Sequence, residues 1–107
     1  MVKTTNVPEK ERIVRILSKN AEALRRFGVG RLGLFGSVVA GRAKAGSDID
    51  ILVTFKVGQE TFANLIGLYR FLKDLLKGDI DLVTAGGLSP YLGPRILKEV
   101  EYIEGFS

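Results

Sequence analysis

The sequence predicts an α/β (α+β) fold in which helices pack on a small mixed β-sheet. Apolar residues recur at helical spacing from 8 to 27 and from 59 to 77, which is typical of amphipathic helices. Segments 31–35, 49–55 and 79–84 are short and are predicted to be strands, and 49–55 is rich in β-branched residues, which favour strands. Helices and strands that alternate in this way are expected to form a sheet covered by helices.

The first half of the chain is predicted to hold a helix, a strand and a loop. The helix is expected to start at Pro8 and to stop at Gly28, because proline suits the first helical turn and glycine the residue after the last one. A strand over 31–35 follows. The loop from 38 to 46 is rich in glycine and alanine, and we expect it to begin with a helical turn after Ser37.

The second half contains the clearest helix of the chain. A broad apolar stripe marks 59–77 as a largely buried helix, which Gly78 is expected to cap. The third strand, 79–84, comes next. Two prolines restrict the remaining helix to a short piece, 94–98, before an edge strand over 100–103.

Composition narrows the chemistry that is open to this protein. The chain of 107 residues is expected to form one domain, 1–107, and it contains no cysteine and no histidine. Disulfides, thiolate or imidazole metal sites and histidine-based catalysis are therefore excluded, and a bound metal would be a hard cation, Mg²⁺ or Mn²⁺. The net charge of +4 indicates an anionic ligand only weakly, since solvated lysines give the same value. Without a signal peptide or an apolar run of roughly 20 residues, we expect a cytoplasmic protein.

Three aspartates on two predicted strands form the candidate catalytic and metal-binding set. Asp48 and Asp50 alternate in sequence and so project to one face of their strand, and Asp81 can join them if its strand lies alongside. Such carboxylates repel one another unless a cation compensates, and they can surround two metal ions about 3.5–4 Å apart, an arrangement that supports in-line phosphoryl displacement. The third carboxylate can also take the proton of an attacking hydroxyl. Alone, the first Asp-x-Asp is more often a turn cap or a solvated strand end than a metal site, and Asp79 and Asp81 could be solvent-facing residues of an edge strand.

A glycine–serine turn, Gly36-Ser37, follows the first predicted strand. Its backbone N–H groups are not shielded by a bulky side chain, which suits a phosphate oxygen. On its own the dipeptide is ordinary turn chemistry. Together with the aspartates it predicts a site for a nucleoside triphosphate carried on Mg²⁺.

The stretch from Gly36 to Asp50 resembles a family signature, in which Gly-Ser is followed by a short spacer, a glycine and then Asp-x-Asp. The signature is that of the DNA polymerase β nucleotidyltransferase superfamily. The short chain and the strand around Asp81 look like its minimal nucleotidyltransferases (MNT), and the resemblance covers about residues 10–103. It implies a polymerase β-like nucleotidyltransferase fold and Mg²⁺-dependent adenylyl transfer from ATP. Members of this family often act as antitoxins and adenylylate a tyrosine of a helical HEPN ribonuclease toxin, so the implied partners are ATP and a HEPN-type toxin.

The resemblance also implies roles for single residues. The implied nucleotide-binding set is Gly36, Ser37, Arg42 and Ser47. The three aspartates are again the implied metal-binding and catalytic set, whereas Asp79 matches no required position. Many relatives carry arginine immediately before the glycine that matches Gly41, where this chain has Ala40, and Arg42 is the candidate replacement.

Two other functions remain open from the sequence. A non-catalytic antitoxin would neutralise its toxin by contact alone, and another enzyme of this superfamily would transfer the nucleotide to a small molecule. Small-molecule enzymes usually carry an added substrate domain, which disfavours that function here and disfavours nucleic-acid polymerisation too. We expect no binding to membranes and no direct binding to nucleic acid. Association with itself or with another chain is left open.

Overall fold

The computed structural model describes residues 9–106. Its helices are α1 (Lys10–Lys19), α2 (Ala21–Arg25), α3 (Ser37–Ala40), α4 (Phe62–Leu76) and α5 (Gly93–Glu99), and its strands are β1 (Val29–Phe35), β2 (Ile49–Phe55), β3 (Ile80–Thr84) and β4 (Glu101–Tyr102). The strands form a sheet in the order β3-β2-β1-β4, in which β1 is antiparallel to β2 and β4, and β2 is parallel to β3. The predicted mixed sheet with helices packed on it is confirmed.

The first helical region is broken at Asn20, where the sequence predicted one continuous helix. Asn20 leaves the helical conformation (φ −106°, ψ 18°), and its side-chain amide donates to the Ile16 carbonyl at 2.8 Å. A short polar side chain that bonds to the backbone competes with the helical hydrogen bonds, which accounts for the break. The chain then resumes as α2 and turns at Gly28, as predicted, while the predicted start at Pro8 lies outside the described residues.

The helix predicted over 59–77 is α4, and both of its ends are set by local contacts. Thr61 caps the start, since its Oγ1 accepts the N–H of Asn64 at 3.1 Å. The prediction that Gly78 caps the other end is wrong. The helix stops at Leu76, so the left-handed position falls on Lys77 (φ 53°) instead.

The remaining elements follow the prediction with small shifts. β1 begins at Val29, two residues before the predicted start. The short helix predicted over 94–98 is α5. The edge strand predicted over 100–103 is reduced to β4, which pairs with β1 through Gly33 and Leu34.

The two faces of the sheet differ, and this difference positions the candidate site. Ile49 and Ile51 of β2 and Ile80 of β3 are buried in the apolar cluster that includes the inward face of α4. Because side chains alternate along a strand, Asp50 and Asp81 project from the opposite face. The apolar core therefore anchors both strands while their carboxylates stay outside it.

The longest described helix, α4, has 15 residues. No helix within residues 9–106 is long and apolar enough to cross a membrane.

Candidate active site

Asp50 and Asp81 lie opposite each other on neighbouring parallel strands. The register of β2 and β3 pairs Asp50 with Asp81 and Ile49 with Ile80. Asp48 lies one residue before β2 and is exposed, as is Asp81, whereas Asp50 is half-buried. Adjacent strands are separated by about 4.8 Å, so the structure brings the predicted carboxylates to one open region at the start of β2 and β3.

Gly36 is in direct contact with this region. Phe35, the last residue of β1, pairs with Asp50, and Gly36 follows with a positive φ of 75°. A Cβ built on Gly36 would overlap Oδ2 of Asp50 and come within 2.9 Å of its Cγ. Glycine is therefore required here both for the backbone conformation and for the close approach of the carboxylate.

Ser37 begins α3, the helical turn predicted after the glycine–serine pair. The backbone N–H of Ser37 lies near enough to the Asp50 carboxylate to favour the ionised form and so to lower its pKa. The turn is closed by the N–H of Ala40 on the Gly36 carbonyl at 3.0 Å. The Gly-Ser turn and the aspartates, predicted from separate parts of the sequence, thus lie side by side.

The surroundings of Asp50 disfavour its ionised form. Partial burial raises the pKa of Asp50, the charges of Asp81 and Asp48 raise it further, and the nearby backbone N–H of Ser37 acts in the opposite direction. Burial and like charges both penalise a carboxylate. A cation bound beside Asp50 would remove this penalty.

The chemistry of the donor set fits a hard divalent cation, since carboxylate oxygens are the ligands that Mg²⁺ and Mn²⁺ prefer. In the part of the chain that the structure describes, no three acidic side chains are gathered into a ready-made ligand cluster. Mutual repulsion keeps like-charged carboxylates apart when no cation lies between them.

The two remaining predicted nucleotide ligands, Arg42 and Ser47, have different hydrogen-bond partners. Arg42 is exposed, and its N–H donates to the Ser37 carbonyl at 2.9 Å, which ties the start of the following loop to α3. Ser47 is engaged within the loop itself. Its Oγ accepts the N–H of Lys44 at 2.8 Å, and its own N–H donates to the Lys44 carbonyl at 2.9 Å.

Asp79 is directed to a different partner from the other aspartates. Its Oδ1 lies 3.2 Å from Nζ of Lys73 on α4. The Asp79 carbonyl accepts the N–H of Ile49 at 3.0 Å and so joins the start of β2 to the start of β3. No motif in the sequence singles out Lys73, and the one available signal is a lysine near the end of a helix that leads into Asp79.

Comparisons with known proteins agree with this geometry. A family model for the nucleotidyltransferase domain matches residues 12–103. Protein adenylyltransferase MntA of Thermococcus cleftensis is 40% identical over 94 residues, which cover 87% of this chain and 94% of the relative. A solved structure assigned to the minimal nucleotidyltransferases has a TM-score of 0.69 at 36% identity, over 86% of this chain and 89% of that one. A toxin–antitoxin complex with AMP-PNP has a TM-score of 0.66 at 25% identity, over 82% of this chain and 73% of the matched one.

These likenesses confirm the resemblance drawn from the sequence and the fold that it implied. The residue roles remain predictions: nucleotide binding by Gly36, Ser37, Arg42 and Ser47, and metal binding and catalysis by Asp48, Asp50 and Asp81.

Proposed function

Because the chain belongs to the nucleotidyltransferase family, we propose that it transfers AMP from Mg²⁺-bound ATP to a tyrosine hydroxyl of a protein partner. The partner would be a HEPN-type toxin, and this chain would be its antitoxin. The observation that carries the proposal is the pairing of Asp50 with Asp81 beside the Gly36-Ser37 turn. That arrangement combines an acidic metal site with a turn suited to phosphate.

Two of the similar proteins support the acceptor and the setting. The Thermococcus relative is a protein adenylyltransferase, and the complex with AMP-PNP is a toxin–antitoxin pair that contains an ATP analogue. The exposed position of Asp48 and Asp81 is compatible with an acceptor presented by another macromolecule. ATP and such a partner meet in the cytoplasm, where we propose that the reaction takes place.

In the proposed reaction, the acceptor oxygen forms a bond to the α-phosphorus of ATP. The bond from that phosphorus to the oxygen that bridges to the β-phosphate breaks, and pyrophosphate leaves. Asp81, on the edge strand β3, takes the proton of the acceptor hydroxyl. Positioning and charge stabilisation supply most of what phosphoryl transfer needs, so the lack of histidine is no obstacle.

The metal would be held by Asp48, Asp50 and Asp81, with two Mg²⁺ ions in the complete site and Mn²⁺ as an alternative. When bound, it supplies positive charge at the phosphate oxygens and the leaving group. Gly36 and Ser37 would bind the triphosphate. Arg42, tied to Ser37 through the backbone, would meet the triphosphate in place of the arginine that relatives carry where this chain has Ala40.

We predict that Mg²⁺ and ATP bind together and more weakly apart. The aspartates repel one another until a cation neutralises them, and the triphosphate supplies the remaining metal ligands. Titration calorimetry of ATP should show much tighter binding in Mg²⁺ than in EDTA. Equal affinity in the two buffers would contradict a metal-bridged nucleotide site.

The function itself is tested by labelling the acceptor. Incubation of the protein with α-labelled ATP, Mg²⁺ and the protein product of the neighbouring gene should place the label on that partner, and mass spectrometry should find AMP on a tyrosine. A stable complex without label would favour an antitoxin that acts by contact alone. That function is consistent with Ala40, which stands where many relatives carry arginine. Label found only on small molecules would replace the protein acceptor with a soluble one.

A further inference from the structure

A tight turn lies directly before Asp48 in the chain. In the four residues from Lys44 to Ser47, the N–H of Ser47 donates to the Lys44 carbonyl at 2.9 Å, and Gly46 at the third position has a φ of 83°. A positive φ at this position is the mark of a type II turn. The Ser47 hydroxyl adds a second bond between the same two residues, because Oγ accepts the Lys44 N–H at 2.8 Å.

The residue after Asp48 belongs to the sheet, whereas the residues before it belong to a loop. After it, Ile49 is fixed by the hydrogen bond of its N–H to the Asp79 carbonyl and by the ladder with β3. Before it, the chain from Arg42 onward has no regular secondary structure until β2 begins. The start of this loop is tied to α3 by the Arg42 N–H and packs on the core through Ala43, and the turn closed by Ser47 is the described contact nearest to Asp48 along the chain.

We propose that Ser47 is a positioning residue, whose hydroxyl fixes the turn that places Asp48 for metal binding. This inference rests on the proposed function, because it concerns the same metal site. It replaces direct nucleotide binding as the main role of Ser47. The Ser47 hydroxyl oxygen already accepts the Lys44 N–H, and the Ser47 N–H donates to the Lys44 carbonyl. The Ser47 side chain therefore acts on the metal site through the position of Asp48.

The two roles of Ser47 lead to different binding behaviour. A positioning role lowers affinity for the cation when the hydroxyl is removed, while nucleotide affinity in the absence of metal stays the same. If Ser47 instead bound the nucleotide directly, removal of its hydroxyl would lower nucleotide affinity in EDTA as well. One hydrogen bond of this kind corresponds to an effect of about fivefold.

The chain offers matched variants that separate the hydroxyl from the turn. Ser47→Ala removes the hydroxyl, and Ser47→Thr keeps it. Gly46→Ala leaves the hydroxyl but opposes the positive φ, and no atom lies within 4 Å of the added Cβ. Gly58→Ala is the control, since Gly58 also has a φ near +80° and an open surrounding, but lies beyond the far end of β2.

The experiment titrates Mn²⁺ into each variant in the presence of AMP-PNP, followed by electron paramagnetic resonance of free Mn²⁺. AMP-PNP binding in EDTA and hydrogen exchange of the Lys44 amide are measured on the same samples, and thermal melts establish that each variant is folded. We expect Ser47→Ala and Gly46→Ala to weaken Mn²⁺ binding about fivefold, while Ser47→Thr and Gly58→Ala match the wild type. The Lys44 amide should exchange faster in Ser47→Ala than in Ser47→Thr.

Unchanged Mn²⁺ affinity in a folded Ser47→Ala variant would overturn the positioning role. So would an equal loss of AMP-PNP affinity in EDTA, which would make Ser47 a nucleotide ligand. Failure of the wild-type protein to bind Mn²⁺ at all would instead overturn the proposed function, and this inference with it.

Discussion

Asp50→Asn is expected to reduce AMP transfer by about a thousandfold, since loss of this proposed metal ligand would remove several kcal/mol of transition-state stabilisation. The same change should leave the melting temperature in metal-free buffer unchanged or raise it. Asp50 is half-buried beside two like charges, and asparagine keeps the shape of the side chain without the charge. Initial rates with labelled ATP and thermal melts in EDTA measure the two effects.

The effect on stability should depend on pH in a defined direction. The pKa of Asp50 is raised in the folded protein, so its ionised form destabilises the fold at pH values above that pKa. This destabilisation disappears as the pH falls below the unfolded pKa of about 4. Any gain from Asp50→Asn in metal-free buffer should therefore be present at neutral pH and absent near pH 3.

Asp79→Asn is the matched control for this experiment. Asp79 lies two residues before Asp81, but its carboxylate faces Lys73 and both side chains are largely exposed. An exposed ion pair contributes little to stability, so this variant should keep most of its activity and its melting temperature. If Asp50→Asn unfolds the protein, or if Asp79→Asn is equally inactive, the carboxylates do not have the separate roles assigned to them.

The second large effect is expected at Gly36. In Gly36→Ala the new Cβ would overlap the Asp50 carboxylate, and the positive φ of 75° would be strained for alanine. Backbone strain alone costs about 1–3 kcal/mol, which corresponds to a loss of roughly 10 °C in melting temperature for a domain of this size. Because the displaced group is the carboxylate at the centre of the site, activity should be lost as well.

Gly58→Ala serves as the control for Gly36→Ala. Both glycines have positive φ values, but a Cβ on Gly58 meets nothing within 4 Å. The control should show a smaller loss of melting temperature and normal transfer. Equal behaviour of the two variants in thermal melts and in the labelling assay would show that contact with Asp50 is unimportant.

The contact between Gly36 and Asp50 gives a physical reason for the glycine that stands before the Asp-x-Asp in the signature. The glycine ends β1 at the point where that strand pairs with Asp50, and the antiparallel pairing of β1 with β2 brings the two together. A side chain on the glycine would push the carboxylate away from the Ser37 N–H. The residues between Gly36 and Asp50 form α3 and the loop with its turn before β2.

Local patterns in the sequence determined most of the elements. The apolar stripe of α4 and the β-branched run of β2 involve residues only a few positions apart. Helical periodicity therefore located α4, and local composition located β2. The signature from Gly36 to Asp50 likewise lies within one short stretch and indicated the family. The ends of elements were less predictable, because the break at Asn20 and the cap at Lys77 depend on which of several nearby groups forms a hydrogen bond or adopts a positive φ.

Only the tertiary structure decided which distant residues meet. The alternation of Asp48 and Asp50 follows from the sequence, but the pairing of Asp50 with Asp81 depends on strands that are separated by the whole of α4. The resemblance grouped Ser47 with the nucleotide ligands, whereas the structure bonds it to Lys44. Asp79 matches no position of the family signature, and the structure pairs it with Lys73. Strand register and side-chain partners are set by packing of the whole sheet against its helices, and that information is not contained in the spacing of any single motif.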